Sequence, residues 1–100
     1  DALIRELEER SRSAGETEIF IEAPYRNDTL FAAVIANCKA ETLLTIACDL
    51  TAPKQEIATR TIAQWRRTPP PQLHKRPTVF LLLAGSAKSA NRRVRPARVK

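Results

Sequence analysis

The chain has 100 residues, of which 43% are hydrophobic and 28% charged, and a formal net charge of +6. That length builds one domain around one core, and its uninterrupted apolar runs, Val79–Ala84 among them, are too short to span a bilayer. A single histidine (His74), two widely spaced cysteines (Cys38 and Cys48) and only two glycines (Gly15 and Gly85) leave little for a metal cluster or a Ser-His-Asp triad, and no Walker or dinucleotide glycine loop is present.

The positive charge is unevenly spread. Residues 1–85 hold eleven basic side chains and all eleven acids, whereas 86–100 hold Lys88, Arg92, Arg93, Arg95, Arg98 and Lys100 with no acid. Two domain assignments follow: 1–85 as the folded part, and 86–100 as a basic extension with the composition of a disordered tail. The chain contains no methionine and opens at Asp1, which reads as a fragment of a longer protein. With no signal segment and two cysteines expected to be buried and free, a reducing cytoplasm is the expected location.

In chain order, 2–14 reads as a helix with Leu3, Ile4 and Leu7 on its apolar stripe and Gly15 as its stop. Thr17–Glu22 is a strand, with Phe20 on one face and Ile19 and Ile21 on the other, and Pro24 ends it. Asn27 and Asp28 compete to cap a second helix that runs to about Lys39, with Leu30, Phe31, Val34, Ile35 and Cys38 facing inward. Thr42–Leu50 is apolar on both faces, which predicts a central strand covered on both sides. After the loop Thr51–Gln55 comes a β-branched strand, Glu56–Thr61. Thr61-x-x-Gln64 has capping-box spacing for a short helix, Ile62–Arg67, that carries Trp65 as a core anchor. A proline-rich basic loop, 68–76, leads to the strand Pro77–Ala84, and Gly85 closes the folded part.

The order α-β-α-β-β-α-β predicts an α/β fold with a mixed parallel and antiparallel sheet and helices on its faces. The second and third helices can serve as crossovers, while the short Thr51–Gln55 loop can only make a hairpin.

Glu22 and Asp49 are the carboxylates that end apolar strands. They can form an acid/base pair, though such groups more often cap loops or pair with arginine. Arg26 can pair with either of them, or reach a phosphate or carboxylate on a ligand. Strand ends of α/β sheets carry ligand sites, so Glu22, Tyr25 and Arg26 mark a rim.

Four segments, E-I-F-I-E-A-P-Y-R-N-D-T-L, T-L-L-T-I-A-C-D-L-T-A-P, I-A-T-R-T-I-A-Q-W and L-H-K-R-P-T-V-F-L-L-L, follow one another across Ala2–Ala84. Together they resemble the tetrapyrrole (corrin/porphyrin) methylase family, within the group that looks like small-subunit rRNA ribose methyltransferases. The resemblance implies the carboxyl-terminal domain of an S-adenosylmethionine-dependent methyltransferase, with the cofactor cleft closed by an amino-terminal domain that this chain lacks. It implies cofactor contacts at Glu22, Ala23, Thr61, Ile62, Pro77 and Thr78, and a substrate rim at Tyr25 and Arg26. No catalytic side chain and no metal are implied. Asp49 stands where such relatives often have Glu, and Tyr25 where they often have His. RNA or a small molecule is the implied methyl acceptor, and relatives are commonly homodimers. The competing expectation is a non-catalytic nucleic-acid or protein-binding module that uses the basic loop and tail.

Overall fold

The structure is a computed structural model that describes residues 2–85, and 93–98 as backbone. The elements are α1 (Ala2–Ala14), β1 (Glu16–Ile21), a 3₁₀ turn (Pro24–Arg26), α2 (Asn27–Asn37), β2 (Leu43–Cys48), β3 (Glu56–Thr61), α3 (Ile62–Arg67), β4 (Thr78–Leu83) and β5 (Arg93–Arg98). The sheet order is β3-β2-β4-β1-β5.

The sheet is mixed. Antiparallel ladders join β3 to β2, β2 to β4 and β4 to β1, while β5 runs parallel to β1. Since β1 and β2 are both antiparallel to β4, they are parallel to each other, and α2 makes the crossover between them. By the same reasoning, β3 and β4 are parallel and α3 connects them. β2 and β3 form the expected hairpin.

One core holds the molecule together. Phe20, Leu44, Ile46, Phe80 and Leu82 project from one side of the sheet against Ile4 and Leu7 of α1, Leu30, Phe31 and Val34 of α2, and Ile62 and Trp65 of α3. Phe20 and Phe80 are cross-strand partners whose rings stack with centroids 5.6 Å apart. Trp65 is an anchor, as expected: its ring meets Phe31 edge-on, and its Nε1–H donates to the Leu44 carbonyl at 2.9 Å.

β2 is central, but the three helices bury their apolar residues on the Phe20 side. The other side of the sheet carries half-buried Ile19, Leu43, Thr45, Val79 and Leu81, with Ile21 and Ile57 at 55% and 56% exposure. The two-sided cover predicted for β2 is therefore absent among the described residues. A two-sided apolar strand pattern reports flanking strands as well as covering helices, and here the flanking strands supply the burial on the second side.

Other expectations shift locally. The turn Pro24–Arg26 runs straight into α2, so Asn27 is the first helical residue instead of a cap, and Arg26 occupies the cap position without a side-chain bond. α2 stops at Asn37, and Cys38 turns extended. α3 begins at a true capping box: Thr61 Oγ1 accepts from Gln64 N, and Gln64 Oε1 accepts from Thr61 N. Gly15 ends α1 with φ +67, a conformation that favours glycine.

Residues 86–92 and 99–100 of the expected tail lie outside the described residues. Arg93–Arg98, expected to be unstructured, forms β5 instead, with Arg93 to Arg98 in register with Glu16 to Ile21. An edge position suits this segment, because Pro96 has no N–H to donate to a ladder. Among the described residues no helix is long and apolar enough to cross a membrane.

Candidate functional site

Most of the residues expected at a site gather at one end of the sheet. β1 and β4 are antiparallel with Phe20 opposite Phe80, so the residues that follow β1 meet those that open β4. Glu22, Ala23, Pro24, Pro77 and Thr78 thus share one rim. Two hydrogen bonds close it: Lys75 N–H donates to the Pro24 carbonyl at 3.1 Å, and Asp49 N–H to the Pro77 carbonyl at 2.9 Å.

Asn27 is the clasp of this rim. It is fully buried, and its Nδ2 lies 2.6 Å from the Arg76 carbonyl and 3.1 Å from both the Leu73 carbonyl and Thr78 Oγ1. Thr78 Oγ1 in turn donates to the Arg76 carbonyl at 2.8 Å and lies 3.4 Å from Cys48 Sγ. One side chain at the start of α2 therefore fixes the path of 73–78. The sequence marks Asn27 as a helix-start residue, and nothing local reveals that its amide reaches 51 residues along the chain.

The two strand-end carboxylates do not form an acid/base pair. Asp49 Oδ2 receives Arg76 Nε at 2.8 Å, and a second Arg76 nitrogen lies 2.8 Å from Glu56. These two carboxylates raise the Arg76 pKa. Glu22 Oε1 accepts from the Ala23 N–H at 2.9 Å, an ordinary local cap. Arg26 pairs with neither acid. Its guanidinium carbon lies 5.6 Å from the ring centre of Tyr25, and that ring is 62% exposed. Tyr25 and Arg26 are therefore a solvent-facing pair beside the rim. Backbone strain also collects here, with φ of +52 at Asp49, +66 at Thr51 and +60 at Lys75.

Thr61 and Ile62 lie elsewhere. Leu43 pairs with both Thr61 and Leu83, whereas Cys48 pairs with both Glu56 and Thr78. Thr61 and Thr78 thus stand at opposite ends of the ladders, displaced by roughly 17 Å along the strand direction for five residues of rise. Ile62 is fully buried. The N–H groups of Ile62, Ala63 and Gln64 are spent on the Thr42 and Ala40 carbonyls and on Thr61 Oγ1. The expectation that one hollow joins Thr61 and Ile62 to the other four residues is corrected here. Sequence motifs give proximity along the chain, and the crossover through α3 sends these two to the far edge.

Some of the cations in and before the basic loop are held internally as well. Arg66 donates to the Ile35 and Cys38 carbonyls, both at 2.7 Å, and so caps the last turn of α2. Arg76 is held as described above. Arg60 lies 4.6 Å over the Trp65 ring. Arg67 and Lys75 remain exposed beside these held cations. Both cysteines are buried and free.

A concavity of about 510 Å³ lies between β3, Trp65 and the Thr68–Pro71 segment, with Ile46 and Cys48 also lining it. Through Cys48, the register partner of Thr78, it adjoins the Thr78 end of the rim.

No known family matches the sequence, and no curated protein matches it. Among solved structures, the fold is similar to that of the methyltransferase CobJ, with a TM-score of 0.51 and 18% sequence identity. The similarity covers 84% of this chain and 35% of that one, so the chain spans about a third of its structural relative. At this identity the likeness is one of fold: an α/β domain of the kind found within that methyltransferase.

Proposed function

We propose that this chain is part of an S-adenosylmethionine-dependent methyltransferase of the tetrapyrrole methylase kind, and that it contributes one wall of the cofactor cleft. The observation that carries this reading is the fold itself, similar over 84% of the chain to about a third of a methyltransferase. A domain of that size leaves the opposite wall to a further domain, proposed here to be amino-terminal.

The rim suits the cofactor in part. Glu22 and Ala23 offer a carboxylate oxygen and main-chain groups to ribose hydroxyls or to an amino group. Pro77, exposed where β4 opens, offers its ring face to a base beside the buried Thr78. Arg26 matches the cofactor's carboxylate, and the exposed Tyr25 ring offers a face for stacking or for the incoming substrate. Bound there, the cofactor supplies an electrophilic methyl group. The domain's own contribution is positioning, since an in-line displacement at a methyl group needs alignment more than acid/base side chains. Thr61 and Ile62 take no part. The methyl acceptor is proposed to be RNA or a small molecule, and the setting cytoplasmic.

The test is calorimetric titration with S-adenosylhomocysteine of the 100-residue chain and of a longer polypeptide that also carries the preceding domain. The reading expects binding by the longer polypeptide, weakened at least severalfold by Arg26→Ala and unchanged by Thr61→Ser. Absence of binding by both proteins removes it.

A further inference from the structure

The concavity beside β3 combines an apolar lining with one unmatched charge. Its volume of about 510 Å³ falls within the range of sites for small organic molecules. Ile46 and Ala58 line it from the sheet, and Trp65, Pro69 and Pro71 from α3 and the segment that follows. Ile46 and Trp65 belong to the core, so the hollow reaches down to well-packed residues. Pro69 and Pro71 carry no N–H and have a fixed φ, which makes that wall both stiff and free of backbone donors.

Two charged side chains stand along its length. Glu56 and Arg60 are four residues apart on one face of β3, roughly 13 Å along the strand. Glu56 is already matched, with an Arg76 nitrogen 2.8 Å away. Arg60 is not. Its guanidinium carbon lies 4.6 Å over the Trp65 ring, and among the described residues it makes no hydrogen bond or ion pair. Stacking occupies a face of the guanidinium and fixes its place, but the N–H groups lie in the plane of the fork and remain for an acceptor. Arg60 is therefore a half-buried, positioned cation beside an apolar hollow.

We propose that this concavity binds a small organic acid, with the carboxylate on Arg60 and an aliphatic body against Ile46, Ala58, Pro69 and Pro71. A planar carboxylate fits the fork of a guanidinium through two hydrogen bonds. An aliphatic body is favoured because Arg60 already covers the aromatic ring in the wall. A cationic ligand is disfavoured, since Arg60 repels it and the carboxylate that lines the hollow is held by Arg76. None of the lining residues is among those proposed to hold the cofactor, so the proposal stands independently of that reading.

Octanoate is a suitable probe, because it is transparent where Trp65, the only tryptophan, fluoresces. Titration of the full chain with octanoate is expected to give a saturable change in Trp65 fluorescence. Octanol is expected to bind about tenfold more weakly, and octylammonium to give no saturable change. This comparison needs no variant, so it decides the matter even where a substitution impairs folding. Arg60→Gln is expected to weaken octanoate about tenfold, to the level of octanol, and isothermal calorimetry reads this without relying on the ring that Arg60 covers. Ala58→Leu fills the hollow and is expected to weaken octanoate and octanol alike. Arg26→Ala is expected to leave octanoate binding unchanged, which separates this site from the cofactor rim. Circular dichroism and thermal melting verify that each variant folds. Absence of saturable binding at millimolar octanoate overturns the proposal, as does equal binding of octylammonium, or an octanoate affinity undiminished in a folded Arg60→Gln variant.

Discussion

Asn27 ties three remote acceptors with one amide while fully excluded from water. Its Oδ1 has no hydrogen-bond partner among the described residues, so the side chain is retained for what its Nδ2 does. Asn27→Ala strands the acceptors of 73–78 without a donor and is expected to cost about 2–3 kcal/mol, read as a lower urea midpoint at unchanged slope. Cys38 makes a different point. Burial, reinforced by the nearby Glu8 carboxylate, pushes its thiol up from 9.0 to about 12. Between those values the unfolded chain releases a proton that the folded chain holds. Stability is therefore intact below pH 9 and falls as pH rises through the window. The melting-temperature difference between the parent and Cys38→Ala is expected to shrink between pH 8 and pH 10.5. Glu8 itself is nine-tenths buried and accepts from Lys39 N at 2.7 Å and Thr42 Oγ1 at 2.5 Å. Its i,i+4 spacing to Arg12 suggests a solvated face, and only the packed structure reveals the strap between α1 and the α2–β2 turn.

At the scale of elements, local chemistry and outcome agree where one signal dominates. The Thr61/Gln64 capping box is visible in four residues and present as expected; Thr61→Ala is expected to lower stability by about 1 kcal/mol, checked by thermal melting. Phe20 and Phe80 lie in strands whose other face is also apolar (Ile19 and Ile21; Val79 and Leu81), so alternation alone does not identify the buried face. Their stacking needs the register, which no single strand encodes. Phe80→Ala opens a cavity at the centre of the sheet and is expected to cost 3–5 kcal/mol, measured by chemical denaturation. The misread elements share one cause. The α2 start and the fate of Arg93–Arg98 are both decided by partners far away in sequence: the 73–78 segment in one case and β1 in the other. Glu16 and Glu18 show the same effect, since two carboxylates on the buried face of β1 break the alternation rule, and their backbone partners are Arg93 and Arg95.

At the scale of the molecule, the α/β class, the hairpin and both crossovers were legible because helix and strand periods alternate cleanly along the chain. The site was legible only in part. Glu22, Ala23, Pro77 and Thr78 converge because antiparallel strands bring the end of one to the start of the other. Thr61 and Ile62 diverge because β3 and β4 run the same way, and this depends on a strand order that sequence does not specify. That order, β3-β2-β4-β1-β5, carries one more consequence. The last strand of the main body to be synthesised is the plank in the middle: β1 lies on one side of β4, the β2–β3 hairpin lies on the other, and the two never touch by ladder. Until residue 83 has emerged, a growing polypeptide lacks the ladders that join these two pieces. A chain terminated after Arg76 is accordingly expected to show no cooperative melting transition, whereas one terminated after Gly85 melts as a unit.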